Sequence, residues 1–80
     1  MELKYVITDK NCFAIFSTTA EHRDVATGLW GKPMGAGFCT IAEGNVRHCN
    51  VHCYGKSVSL NLSARPEDEE IINHKINSSY

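Results

Sequence analysis

The chain lacks any run approaching the ~18 consecutive apolar residues that a membrane-spanning helix needs. It also lacks an apolar segment of about 7–15 residues behind a basic start. Met1-Glu2-Leu3-Lys4 opens directly into an alternating pattern. These two absences predict a cytoplasmic protein with no membrane partner. An excess of positive charge is missing too: the formal net charge is −1 over 80 residues. Binding nucleic acid through its phosphates needs a basic face, so a nucleic-acid partner is not expected. Repeats and linkers are absent, and residues 1–80 read as a single small domain. A core of this size rarely supplies more than about 3–5 kcal/mol without a staple or a partner subunit, which favours a homo-oligomer. The four cysteines, at positions 12, 39, 49 and 53, read first as small buried apolar residues of a reducing compartment.

Against this background stands VRHCNVHCYG, residues 46–55, with two histidines and two cysteines within six positions. Val46, Val51 and Tyr54, bounded by Gly44-Asn45 and Gly55, predict a strand over Val46–Tyr54. Alternate strand residues face opposite ways. Arg47, Cys49, Val51 and Cys53 then share one face, and His48, Asn50, His52 and Tyr54 the other. Thiols and imidazoles cannot close on one ion, and His48 and His52 stand about 13 Å apart at ~3.3 Å per residue. The spacing also departs from zinc patterns, which separate two ligand pairs by a dozen or more residues. No metal ligand and no cofactor is predicted within one chain. A metal or thiol site shared across subunits is the one form such chemistry could take.

The rest of the chain follows the same periodicities. Leu3, Tyr5 and Ile7 alternate with Lys4 and Thr8, predicting a strand with one buried face, and Cys12–Phe16 predicts its hairpin partner. Thr18 and Glu21 have capping-box spacing ahead of a helix over Thr19–Trp30, whose stripe is His22, Val25, Ala26 and Leu29. Gly31 fits the left-handed position after that helix, and Pro33 bars its continuation. Gly35–Ala42 reads as the third strand. Gly55-Lys56 suggests a tight turn, with Val58, Leu60 and Leu62 alternating in a fifth strand or in the end of a bent fourth. Ser63-Ala64-Arg65-Pro66 opens a second helix, with Glu67, Asp68, Glu69 and Glu70 at its positive end. The predicted fold is α+β, ββαβββα or ββαββα: an antiparallel sheet of four to five strands with two helices packed on one face.

Catalysis asks for a nucleophile, a base and an orienting group. No strained nucleophile turn is present, and nothing in the spacing brings Cys39 or Cys53 to His22, so no enzymatic activity and no catalytic residue is predicted. The Gly-Lys pair at 31–32 is not a phosphate loop: the glycine spacing differs, Pro33 stands where Ser or Thr belongs, and a helix precedes the loop instead of following it. A looser pocket remains, with Trp30 as a stacking face, Lys32 and Arg65 as charges, and Gly35 and Gly37 admitting a ligand to the backbone.

The segments EHRDVATGLWGKPMGAGF, CYGKSVSL and SARPEDEE resemble small uncharacterised proteins carried by bacterial phages and plasmids. The resemblance carries no chemistry residue by residue. It implies a protein that acts by binding, either inhibiting a host defence protein or sequestering a phosphorylated small molecule such as a signalling nucleotide.

Overall fold

The computed structural model describes residues 2–43 and 49–78. The strands are β1 (Glu2–Thr8), β2 (Phe13–Phe16), β3 (Pro33–Glu43) and β4 (Cys49–Tyr54), then the two-residue β5 (Lys56–Ser57) and β6 (Leu62–Ser63). The helices are α1 (His22–Ala26), between β2 and β3, and α2 (Pro66–Asn77) at the end. The four longer strands form an antiparallel sheet in the order β2-β1-β3-β4, and β5 and β6 pair as a separate ribbon. The class is α+β, as the periodicities predict. Among the described residues, no helix is long and apolar enough to cross a membrane.

The two helices lie on opposite faces, which corrects the expectation that both pack on one. Tyr5, Ile7, Cys39 and Val51 cluster with Ile72 of α2 on the first face. Val6, Ala36 and Ala26 of α1 cluster on the second, with Leu60 and Leu62 of the ribbon packed against them. β1 therefore has two buried faces rather than one: Tyr5, Val6, Ile7 and Thr8 are all buried. A strand flanked by β2 and β3 and covered above and below is an interior strand, and near-continuous apolar sequence is what that position requires.

Two local expectations change. The first helix is confined to His22–Ala26 with no side-chain cap bond. Ser17-Thr18-Thr19 forms its own turn instead, in which the Ser17 hydroxyl accepts the Thr19 amide at 3.2 Å and the Ser17 carbonyl accepts the Ala20 amide at 3.1 Å. Short polar side chains compete with helix in this way. The stripe itself holds: His22 and Ala26 are buried, and Val25 and Leu29 are half-buried against the sheet. After Gly55, Val58 does not alternate into the core; it stands at a turn and is 85% exposed, while Leu60 and Leu62 fold inward. Residues 44–48, including the predicted strand residues Val46-Arg47-His48, lie outside the described residues. Gly31 takes the expected positive φ, 105°.

Candidate functional site

The β4 register places Cys53 opposite Cys39, Val51 opposite Ile41, and His52 opposite Thr40. Cys53 faces α2 and His52 the opposite side, as the alternation requires. Burial pushes the Cys39 thiol up to about 11. Burial, reinforced by Cys39, Glu69 and Asp68 nearby, pushes Cys53 up to about 12. Among the described residues, no three His, Cys, Asp or Glu side chains come together to hold a metal ion; His48 lies outside them.

The predicted pocket residues fall into three places: Trp30 and Lys32 share a loop, Gly35 and Arg65 meet at Asp68, and Gly37 lies against Tyr54. Trp30 is 70% exposed, with Lys10 Nζ 5.5 Å above its ring, and its carbonyl accepts the Thr8 hydroxyl at 2.8 Å. The Lys32 amide donates to Asp9 Oδ1 at 2.9 Å, fixing the loop beside Trp30. Gly35 and Gly37 do permit close approach, but the groups that approach belong to the protein. A Cβ at Gly35 would sit 2.0 Å from Asp68 Oδ2, and one at Gly37 would sit 2.6 Å from the Tyr54 carbonyl oxygen. Arg65 is engaged at the start of α2. Its Nε and Nη2 lie 2.9 and 2.7 Å from Asp68 Oδ1, and its amide donates to Oδ2 at 3.1 Å.

Asp68, read from the sequence only as one of four acids suited to a helix end, is fully buried. Its Oδ2 also accepts the Tyr5 hydroxyl at 2.6 Å, joining the centre of β1 to the first turn of α2. Burial and this carboxylate together raise the Tyr5 hydroxyl far above the usual phenol range. A buried carboxylate is tolerated when its oxygens are bonded and a cation is near, and both conditions hold here. The network is an anchor for α2.

The two edges of the sheet differ. In an antiparallel ladder, residues alternate between bonding their neighbour strand and pointing away from it. On β4 the alternation turns Val51 and Cys53 outward, and α2 takes up both backbone groups of Val51 and the amide of Cys53. Asn73 accepts the Val51 amide at 2.7 Å and donates to the Val51 carbonyl at 2.9 Å, and Glu69 Oε1 accepts the Cys53 amide at 3.0 Å. His52 Nδ1 lies 3.2 Å from the same carboxylate oxygen. On β2, the register Val6↔Ala14, Lys4↔Phe16 and the bond from the Thr8 amide to the Cys12 carbonyl at 2.8 Å turn Ala14 and Phe16 toward β1. The amides and carbonyls of Phe13 and Ile15 point outward. Among the described residues, no side chain takes them up as Asn73 and Glu69 do for β4.

A cleft of about 430 Å³ opens on the α1 side, lined by Lys4, Glu21, His22, Phe38, Lys56 and Ser59 among others. A row of rings borders it. Phe16 meets His22 edge-on with centroids 5.4 Å apart, His22 meets Phe38 edge-on at 6.1 Å, and Phe38 stacks with Tyr54 at 6.2 Å. A second cleft, about 480 Å³, lies between the β1–β2 turn and α2, beside Lys10, Glu70, Ile71 and His74. Neither cleft is lined by Trp30, Lys32, Gly35, Gly37 or Arg65. No family model, curated protein or solved structure matches this chain.

Proposed function

We propose that this chain is a non-enzymatic binding protein that adds its β2 edge to a strand of a partner protein. The resemblance of its three segments to phage- and plasmid-carried proteins makes that partner a host protein, a defence protein in the leading case, which binding would inhibit. One observation carries the reading: the two edges of the same sheet are treated oppositely. An exposed edge is a template for another strand, and folded proteins block edges they do not use. β4 is blocked by Glu69 and Asn73, while β2 presents uncharged Phe-Ala-Ile-Phe with open backbone groups at Phe13 and Ile15. The absence of catalysis in this reading is supported by the state of the chemical groups. Cys39 and Cys53 are held as thiols rather than thiolates at neutral pH, and Asp68 is committed to Tyr5 and Arg65.

The test reads the edge directly. Tagged protein is used to capture partners from a bacterial host lysate, and amide exchange is measured on the purified complex. Phe13 and Ile15 amides should exchange fast in the free protein and slowly in the complex, with Ala14 and Phe16 little changed. Ile15→Pro removes an outward donor and spares the β1–β2 bonds, so this variant should keep its fold by circular dichroism and lose the partner. A complex in which the Phe13 and Ile15 amides exchange as they do in the free chain would refute the proposal.

A further inference from the structure

The cleft on the α1 side has features that the edge reading leaves unused. His22 is 4% exposed, and its Nε2 lies 2.8 Å from the Gly37 carbonyl oxygen. A carbonyl oxygen only accepts, so Nε2 carries the hydrogen. In the neutral ring, Nδ1 is then an acceptor. Among the described residues, every fully buried side-chain nitrogen or oxygen has a partner. No described protein atom bonds Nδ1, so this atom reaches solvent, and the ring's opening is the cleft it lines. A cleft-lining imidazole that donates from Nε2 to the backbone leaves Nδ1 as a receptor for an N–H or O–H group.

The other walls narrow the ligand. Phe38 gives a flat apolar surface, held by edge contact with His22 and by stacking with Tyr54. Gly55, with φ of 76°, lets the chain cross close above that ring, where an added Cβ would lie 3.1 Å from Phe38 Cδ2. Lys4 and Lys56 bring two ammonium groups to the same cleft, against the single carboxylate of Glu21. Lys4 uses one donor on the Ala20 carbonyl at 2.8 Å and retains two. Val58, on the rim, is 85% exposed. The volume of about 430 Å³ falls within the ~300–1,000 Å³ range of small-molecule sites.

We infer that this cleft binds a nucleoside monophosphate, with the base against Phe38 and an exocyclic or ring N–H donating to His22 Nδ1. The phosphate monoester, carrying about −1.5 to −2 charges at neutral pH, lies between Lys4 and Lys56, and the ligand covers Val58. Burying the base end at His22 orients the ligand, and the lysines at the mouth admit the anion.

The probes are adenosine 5′-monophosphate, adenosine and inorganic phosphate, read by calorimetry and by ¹⁵N resonances of the His22 ring in the full chain. The monophosphate should bind, raise the melting temperature and shift the Nδ1 resonance, while the two fragments bind at least about tenfold more weakly. Lys56→Met, at an exposed position, should weaken the monophosphate about tenfold, the loss of one charge-assisted contact. Ile15→Pro should bind it as the parent does, which separates this site from the edge. Absence of monophosphate binding overturns the inference. So does binding that leaves Nδ1 unshifted, or phosphate alone binding as tightly as the nucleotide.

Discussion

Replacing Tyr5 by Phe removes one hydroxyl and leaves the volume at the centre of β1 almost unchanged. The hydroxyl donates to Asp68 at 2.6 Å in a fully buried setting. A hydrogen bond to a charged group is worth about 1.5–3 kcal/mol, and no cavity term is added. Asp68 would still accept the Arg65 amide at 3.1 Å, Nε at 2.9 Å and Nη2 at 2.7 Å, so its charge stays paired. A loss of about 2 kcal/mol should lower the melting temperature by roughly 8–16 °C in a domain of this size. Arg65→Met is the opposite case: the carboxylate keeps its buried position and loses its cation. Breaking such a pair costs about 3–5 kcal/mol. The guanidinium side is 30% exposed, which places the cost near the lower end. That is still comparable to the whole stability of a core this small, about 3–5 kcal/mol. Urea unfolding followed by far-ultraviolet circular dichroism gives both numbers, with equal m-values as the check on two-state behaviour. The reasoning fails if Tyr5→Phe costs as much as Arg65→Met, because then the anchor is not a buried charge held mainly by arginine.

Alkali provides a second handle. Folding raises Cys39 to about 11, Cys53 to about 12 and Tyr5 further still, against about 8.5 for an unfolded thiol and about 10 for an unfolded phenol. The folded chain keeps protons that the unfolded chain releases. Stability is therefore complete below about pH 8 and falls as pH climbs from about 9 toward 12. Melting temperatures across that range should show the decline, with a shallower slope in Cys39→Ala; a flat profile would contradict the burial of these groups. Asn73→Ala strips both side-chain bonds from Val51. It should cost about 1–3 kcal/mol and produce concentration-dependent association in light scattering, since it reopens the β4 edge.

Much of this architecture is legible in local sequence. The alternation Leu3-Tyr5-Ile7, the stripe His22-Val25-Ala26-Leu29 and the glycine at 31 each carry a period or a backbone requirement that neighbours do not override. The extended reading of Cys49–Tyr54 holds for the same reason: β-branched and aromatic residues sit between turn signals. Less legible is which way a face points. Val6 and Ala36 are short apolar residues on what reads as the solvent side of their strands, and only α1 and the β5–β6 ribbon packed over them explain the choice. Asp68 was hidden among four acids because burial depends on Tyr5, 63 positions away. Glycine has two meanings, room for a ligand or room for the chain itself; at Gly35 and Gly37 it is the second. His22 was legible as a packing residue, whereas its fixed tautomer and the lysines beside it depend on long-range contacts that no spacing encodes.

Glu69 and Asn73, one helical turn apart, stand where a fifth strand's peptide groups would otherwise pair with β4. The helix thus behaves as a terminator of the sheet. Among the described residues, the β2 edge is then the open direction for backbone pairing through the main sheet, and a single event there exhausts it. If a second copy occupies that direction, the result is a closed pair and not a filament. A copy and a foreign strand also cannot hold it together, so self-association and partner capture would be mutually exclusive states of one molecule.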